Sequence, residues 1–166
     1  MVTVSPDLFK QVMRRWASTV NVVTTRHEGV VHGLTVTAFS SLAAEPPLVF
    51  VSVNKRARTH AMIDQAGIYA VNFLAPQQRA LSDRFAGRMP EADRFAGVAL
   101  GQGVTGSPIF ADAIAWLDCR VTERVSGGDH TLFFGEVVAA GTRGADLSPL
   151  LYFNGRYHGL GSVCED

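Results

Sequence analysis

The sequence predicts a mainly β protein with short helices, closed into a barrel and folded as one domain over residues 1–166. Three observations predict it. About six to eight stretches are rich in β-branched residues and bounded by turn residues. Helical periodicity is confined to short segments, so the strand–helix alternation of a parallel α/β sheet is missing. A sheet of that many strands leaves unpaired edges unless it closes on itself.

The elements follow in order. Asp7 to Trp16 reads as a short helix, with Ser5 at its N-cap and Pro6 in its first turn. Leu8, Phe9, Val12, Met13 and Trp16 recur at helical spacing. Val20 to Thr25 is a strand ended by Glu28-Gly29, and Val30 to Ser41 is a second extended stretch. Gly33 lies inside it, where glycine marks a bulge or a close backbone approach. Pro46-Pro47 breaks the chain before a buried strand over Leu48 to Val53. Ala57 to Gln65 is a helix closed by Gly67, followed by a strand over Ile68 to Leu74. Pro76 opens a third helix that runs to Arg84 or Phe85. Arg88 to Gly106 is rich in glycine and charge and reads as a long surface excursion. Ala113 to Val125 and Thr131 to Thr142 form a hairpin turning at Ser126-Gly127-Gly128. Leu150 to Phe153 and Arg156 to Leu160 flank the tight turn Asn154-Gly155.

Composition narrows the function. Hydrophobic residues make up 47% of the 166 and charged residues 18%, a core-forming balance. A chain of this length buries about 70% of its unfolded surface and needs no metal or disulfide to fold. Lys plus Arg equal Asp plus Glu at 15 each, so nucleic acid is not the expected partner. Zero net charge with high apolar content favours self-association, and a homo-oligomer is expected. Cys119 and Cys164 lie far apart without a C-x-x-C pattern, and no signal peptide or membrane-length apolar run is visible. The expected setting is the reduced cytoplasm, with no membrane partner. The five histidines show no metal-ligand spacing, so no metal site is expected. No Rossmann glycine fingerprint, P-loop or nucleophile elbow occurs.

Four segments hold candidate chemistry. Thr35, Val36, Thr37, Ala38, Phe39, Ser40 and Ser41 follow Gly33 as a ribbon of small and hydroxylated residues. Such a ribbon lets a planar ligand lie on the backbone and bond its N–H and O–H groups, although an ordinary Thr-rich strand looks the same. Ser52, Asn54, Arg58 and Thr59, with Arg56, lead from a strand into a helix, where free N–H groups and cations suit a phosphate or form a solvated basic turn. His130 follows Gly127-Gly128-Asp129 at a strand mouth, as a ligand contact or a structural histidine. Arg156 and Tyr157 close an aromatic run that can stack on a ring, pair with phosphate or pack on the barrel.

Taken in order, these segments resemble the short-chain flavin reductases, the reductase components of two-component flavin-dependent monooxygenases. The resemblance rests on Val31-His32-Gly33-Leu34-Thr35 through Phe39-Ser40-Ser41, Pro46-Pro47-Leu48 and Tyr69-Ala70-Val71-Asn72-Phe73-Leu74. It continues in Arg84-Phe85-Ala86-Gly87, Gly128-Asp129-His130 through Gly135, and Leu151-Tyr152 through Gly155-Arg156-Tyr157. It implies an FMN-binding split β-barrel, usually a homodimer, that reduces FMN or FAD with NADH or NADPH and supplies a transient partner oxygenase. It implies that Thr35 to Ser41 line the flavin ring and that Ser52, Asn54, Arg58 and Thr59 take its phosphate. His130 would face the nicotinamide, with Arg156 or Tyr157 nearby, and Arg84 and Phe85 would close over one end of a cofactor. Two positions depart from the family pattern: Val20 follows Thr19 where glycine is usual, and Ala38 replaces a serine or asparagine. The alternatives within the same architecture are a non-enzymatic flavin-binding protein and an oxidase of the pyridoxamine-phosphate type.

Overall fold

In the computed structural model, which describes residues 3–144 and 146–161, the chain enters through α1 (Pro6–Met13). The Ser5 hydroxyl accepts the Leu8 N–H at 3.2 Å, as its N-cap position requires. The helix stops three residues short of Trp16, because the chain tightens into i→i+3 bonds from Arg15 to Val12 and from Trp16 to Met13. None of its residues is buried.

Strands then follow: β1 (Ser18–Thr19), β2 (Asn21–His27), β3 (Val30–Val36), β4 (Phe39–Ala44) and β5 (Pro47–Asn54). After α2 (Arg58–Ala66) come β6 (Ile68–Phe73), α3 (Arg79–Asp83) and a wide helical turn over Arg84–Arg88. The segment expected to be an irregular excursion, Arg88 to Gly106, holds β7 (Leu100–Gln102), which pairs with β8 (Pro108–Phe110) just beyond it. The long hairpin is β9 (Ala115–Gly127) with β10 (His130–Thr142), and β11 (Leu151–Phe153) and β12 (Arg156–His158) end the described chain. Cys119 is buried in β9, where burial pushes its thiol up to about 12, and Cys164 lies outside the described residues.

The main sheet has seven strands in the order β3-β2-β6-β9-β10-β5-β4, every pairing antiparallel. The expected closed barrel is corrected here. Among the described residues β3 and β4 form no ladder, so the sheet keeps two edges. The reason is local. Only Thr37 and Ala38 separate the two strands, and Phe39 N–H bonds back to the Thr37 carbonyl rather than across a hairpin. The sheet nevertheless curls, since β2, β3, β5, β6, β9, β10 and α2 all contribute to one core that includes Val23, Val36, Val51, Ile63, Val71 and Phe133. Leu34 and Phe39 pack on that core from either side of the break, so side chains seal the seam that backbone bonds leave open.

A second core joins Val20, Val22, Leu74, Phe85, Phe110 and Leu150. Gly33 shows the close approach expected of it. A Cβ there would stand 2.9 Å from Cε1 of Phe85, a ring with no exposed surface.

Candidate functional site

Two segments about seventy residues apart in sequence meet at one corner. β5 and β10 pair so that Asn54 lies opposite His130. Asn54 Oδ1 accepts the Arg56 N–H at 2.9 Å, which bends the chain toward α2. Lys55 ties the corner down: its N–H donates to the Asp129 carbonyl at 2.9 Å, and its Nζ donates to Ser126 Oγ and the Gly128 carbonyl, both at 2.7 Å. Gly128 sits at φ +60°, a conformation that favours glycine. His130 Nδ1 lies 2.7 Å from Asp129 Oδ1, and that contact holds the Asp129 carboxyl below the usual carboxylate range. A neutral His130 that donates from Nδ1 presents Nε2 as an acceptor, and its side chain is 42% exposed.

Beside this corner, α2 begins at Ala57, which has no side chain able to cap it. Arg58 Nη1 lies 3.0 Å from Glu91 Oε2. Thr59 is fully buried, with its hydroxyl 2.7 Å from His32 Nδ1. The other nitrogen of His32 is buried without a hydrogen bond, its nearest carboxylate oxygen being Glu91 Oε1 at 3.4 Å. Burial lowers the pKa of His32 against the pull of Glu91. Arg58 holds the Glu91 carboxyl below its ordinary value.

The ribbon from β3 to β4 leads away from the corner. Ser52 N–H donates to the Ala38 carbonyl at 2.9 Å, so the ribbon and the end of β5 are neighbours. Thr37, Ala38, Ser40 and Ser41 are exposed. Thr35 points the other way and donates to the Ser82 carbonyl at 2.7 Å. Ser82 Oγ in turn lies 3.0 Å from the Tyr157 hydroxyl, which donates to Asp83 Oδ1 at 2.8 Å. Arg88 meets the same Asp83 oxygen at 3.0 Å. Burial raises the pKa of Tyr157. A cavity of about 370 Å³ opens here, lined by Arg79, Arg88, Tyr152, Gly155, Arg156 and Tyr157. It shares Tyr152 and Gly155 with a more apolar cavity of about 390 Å³ that reaches Thr37, Phe9, Met13 and Trp16.

Comparison with known proteins bears on this arrangement. A family described as "Flavin reductase like domain" matches residues 13–161. The chain belongs to the flavin reductase-like family. It is 39% identical over 154 residues to an FMN reductase (NADH) RutF of Stutzerimonas stutzeri, covering 93% of this chain and 88% of the relative. It is 40% identical over 149 residues to the reductase component of a 4-nitrophenol 4-monooxygenase/4-nitrocatechol 2-monooxygenase of Rhodococcus opacus, covering 90% and 78%. Among solved structures, the Streptomyces globisporus NADH:FAD oxidoreductase SgcE6 in complex with NAD and FAD fragments superposes with a TM-score of 0.88. It is 28% identical and covers 99% of this chain and all of that one.

Within this flavin reductase-like chain, the residues singled out from the sequence divide into groups. Ser52, Asn54 and His130 meet at the corner, the exposed ribbon adjoins it, and Arg58 stands apart at the start of α2 against Glu91. Arg156 and Tyr157 share the second cavity. Phe85 is a correction: it lies fully buried at the centre of the second core, 4.9 Å from Phe95 and 5.3 Å from Phe110 between ring centres. Thr59 is a second correction, because its buried hydroxyl already bonds His32. Val36 faces the main core, and Arg84 donates to the Ala96 carbonyl at 2.8 Å. The sequence reading missed His32, Ser82, Asp83 and Glu91 as site neighbours, and it had Lys55 inside the phosphate segment without a role of its own. Apart from Asp83, which lies four residues after Arg79 on α3, none sits in a recognisable spacing with its partner; only the folded chain brings them together.

Proposed function

We propose that this chain reduces FMN or FAD with NADH or NADPH and passes the reduced flavin to a partner oxygenase. The supporting observation is the corner where Asn54 faces His130, next to an exposed ribbon of small residues. The ribbon fits a flat ring: Thr37, Ala38, Ser40 and Ser41 carry no bulky side chain, and backbone N–H groups can meet polar ring atoms. Arg58 and the first turn of α2, uncapped by any side chain, fit a phosphate. Ala38 offers no side-chain bond, so at that position the contact falls to the backbone. Bound together, the two cofactors supply the chemistry, a hydride passing from the nicotinamide to the flavin.

The protein's own task is to hold two rings at roughly 3–3.5 Å. His130 orients the nicotinamide through Nε2, and Asp129 fixes the tautomer from behind. Lys55 keeps the turn that carries both in register with α2. Arg156 and Tyr157 border the second cavity, where the far end of a dinucleotide finds cations. A homodimer accounts for α1 and the turn after it, where the apolar side chains Leu8, Phe9, Val12, Met13 and Trp16 are all exposed. The closeness of the chain to a monooxygenase reductase component supports the oxygenase partner.

The test has two parts. Absorbance titration with FMN and FAD, followed by oxidation of NADH and NADPH, is expected to show flavin-dependent turnover. His130→Ala is expected to lower kcat/KM for the reduced nicotinamide; an unchanged value removes His130 from the site. Arg58→Ala is expected to weaken FMN binding by on the order of 1–3 kcal/mol.

A further inference from the structure

Glu91 has no place in the binding scheme above, yet it occupies part of it. It begins a one-turn helix, Glu91–Asp93, in the segment between Arg88 and β7. Its carboxylate reaches across to the first turn of α2 and meets Arg58 there. The same carboxylate faces His32, which is 6% exposed and whose Nε2 has no hydrogen bond among the described residues. An orphaned, buried ring nitrogen and a guanidinium at the start of α2 therefore converge on one anionic group. That group is supplied by the chain itself.

The Thr59 hydroxyl sets the polarity of the arrangement. When it donates to His32 Nδ1, the proton of a neutral His32 sits on Nε2 and points toward Glu91. The 3.4 Å separation leaves that buried donor unsatisfied, so an oxygen that took the place of Glu91 could bond it better.

We propose that Glu91 is a tethered competitor for the flavin phosphate: its carboxylate holds Arg58 in the free protein and moves aside when phosphate takes the guanidinium and His32 Nε2. The proposal rests on the assignment of the flavin phosphate to Arg58 and α2. Two anions on one guanidinium repel, so the segment carrying Glu91 opens as the phosphate enters. The consequence suits a protein that gives its flavin away. A closed latch lowers apparent affinity by the fraction of molecules in which the site is open. Arg58 and Glu91 are both substantially exposed, and pairs of that kind hold the closed form by a factor of roughly two to five.

The experiment compares FMN with riboflavin, which has the same ring and no phosphate, on the full chain. Fluorescence titrations on wild type, Glu91→Gln, Arg58→Ala and the double variant give four dissociation constants per ligand. Glu91→Gln is expected to tighten FMN roughly two- to five-fold. Riboflavin binding stays unchanged, which also reports that the variant is folded. In the Arg58→Ala background, Glu91→Gln is expected to change nothing further. If Glu91→Gln leaves FMN binding unchanged or weakens it while Arg58→Ala still loses FMN, Glu91 does not compete, and the phosphate assignment survives. If Arg58→Ala leaves the preference for FMN over riboflavin intact, the phosphate lies elsewhere and both ideas fall.

Discussion

Single side chains in this protein act mainly through what they are packed against. Gly33 is the clearest case, because the nearest atoms to its missing Cβ belong to the Phe85 ring and to Thr24. That ring is held between Phe95 and Phe110 and has nowhere to go. Gly33→Ala is therefore expected to cost about 1–3 kcal/mol, read as a lower urea midpoint with an unchanged m-value. The histidines give a second prediction. Burial lowers the pKa of both His32 and His60 from the ordinary 6.5. The folded state thus binds fewer protons than the unfolded chain in the window just below 6.5, so stability rises with pH across that window. Unfolding free energy should fall as the medium is acidified from pH 7, and His32→Gln with His60→Gln should flatten the slope. A slope that persists in the double variant assigns it to other groups. Legibility at this scale was uneven. The glycine announced a close approach by sitting inside a strand. Nothing in the residues around position 85 distinguished a core ring from a ring poised over a ligand, because both settings ask for an apolar aromatic.

At the scale of elements, buried polar side chains clip short pieces to the sheet. Asn72 in β6 donates to the Val22 carbonyl at 3.0 Å and to Thr24 Oγ1 at 3.1 Å, and accepts the Phe110 N–H at 2.7 Å. Asp118 in β9 accepts the Thr105 N–H at 2.8 Å and fills the space beside Gly103. Together they fasten β7, β8 and their connection, which the sequence presented only as a charged, glycine-rich excursion. Asn72→Ala leaves the Phe110 N–H without its acceptor and removes a donor from the Val22 carbonyl, while Thr24 keeps its bond to the Pro108 carbonyl; a loss of about 1–3 kcal/mol per unsatisfied group is the scale to expect. Hydrogen exchange should show the amides of Leu100 to Phe110 opening before the main sheet does; uniform exchange across the chain counts against the clip. The hairpin β9–β10 behaved differently. Its alternation and its glycine turn were readable at once, since local pattern and local turn chemistry dictate it. The attachment of that turn to α2 through Lys55 was not readable, because a lysine on a loop carries no sign of its acceptor.

At the scale of the whole molecule, the open sheet and the bare helix belong to one question. Trp16 is 69% exposed and Phe9 59%. Exposed apolar side chains gathered on one short helix and the turn after it are uncommon in proteins that remain monomeric. Sedimentation equilibrium is expected to return a mass near twice 17.9 kDa, and Phe9→Asp combined with Trp16→Asp is expected to return one chain's mass. A wild-type chain that runs as a monomer at micromolar concentration would falsify this. The residues by themselves determined the mainly β class of the fold, the long hairpin and most of the strands along the chain. Those properties follow from periodicity, turn chemistry and side-chain type, all of which act over a few residues. Tertiary structure alone decided that the sheet stays open between β3 and β4, that Asn54 faces His130, and that Arg58 is matched by Glu91. Each of these is a contact between residues distant or differently directed along the chain, fixed by strand register and by which core must be filled. No local pattern encodes the partner of a strand edge or of a buried nitrogen.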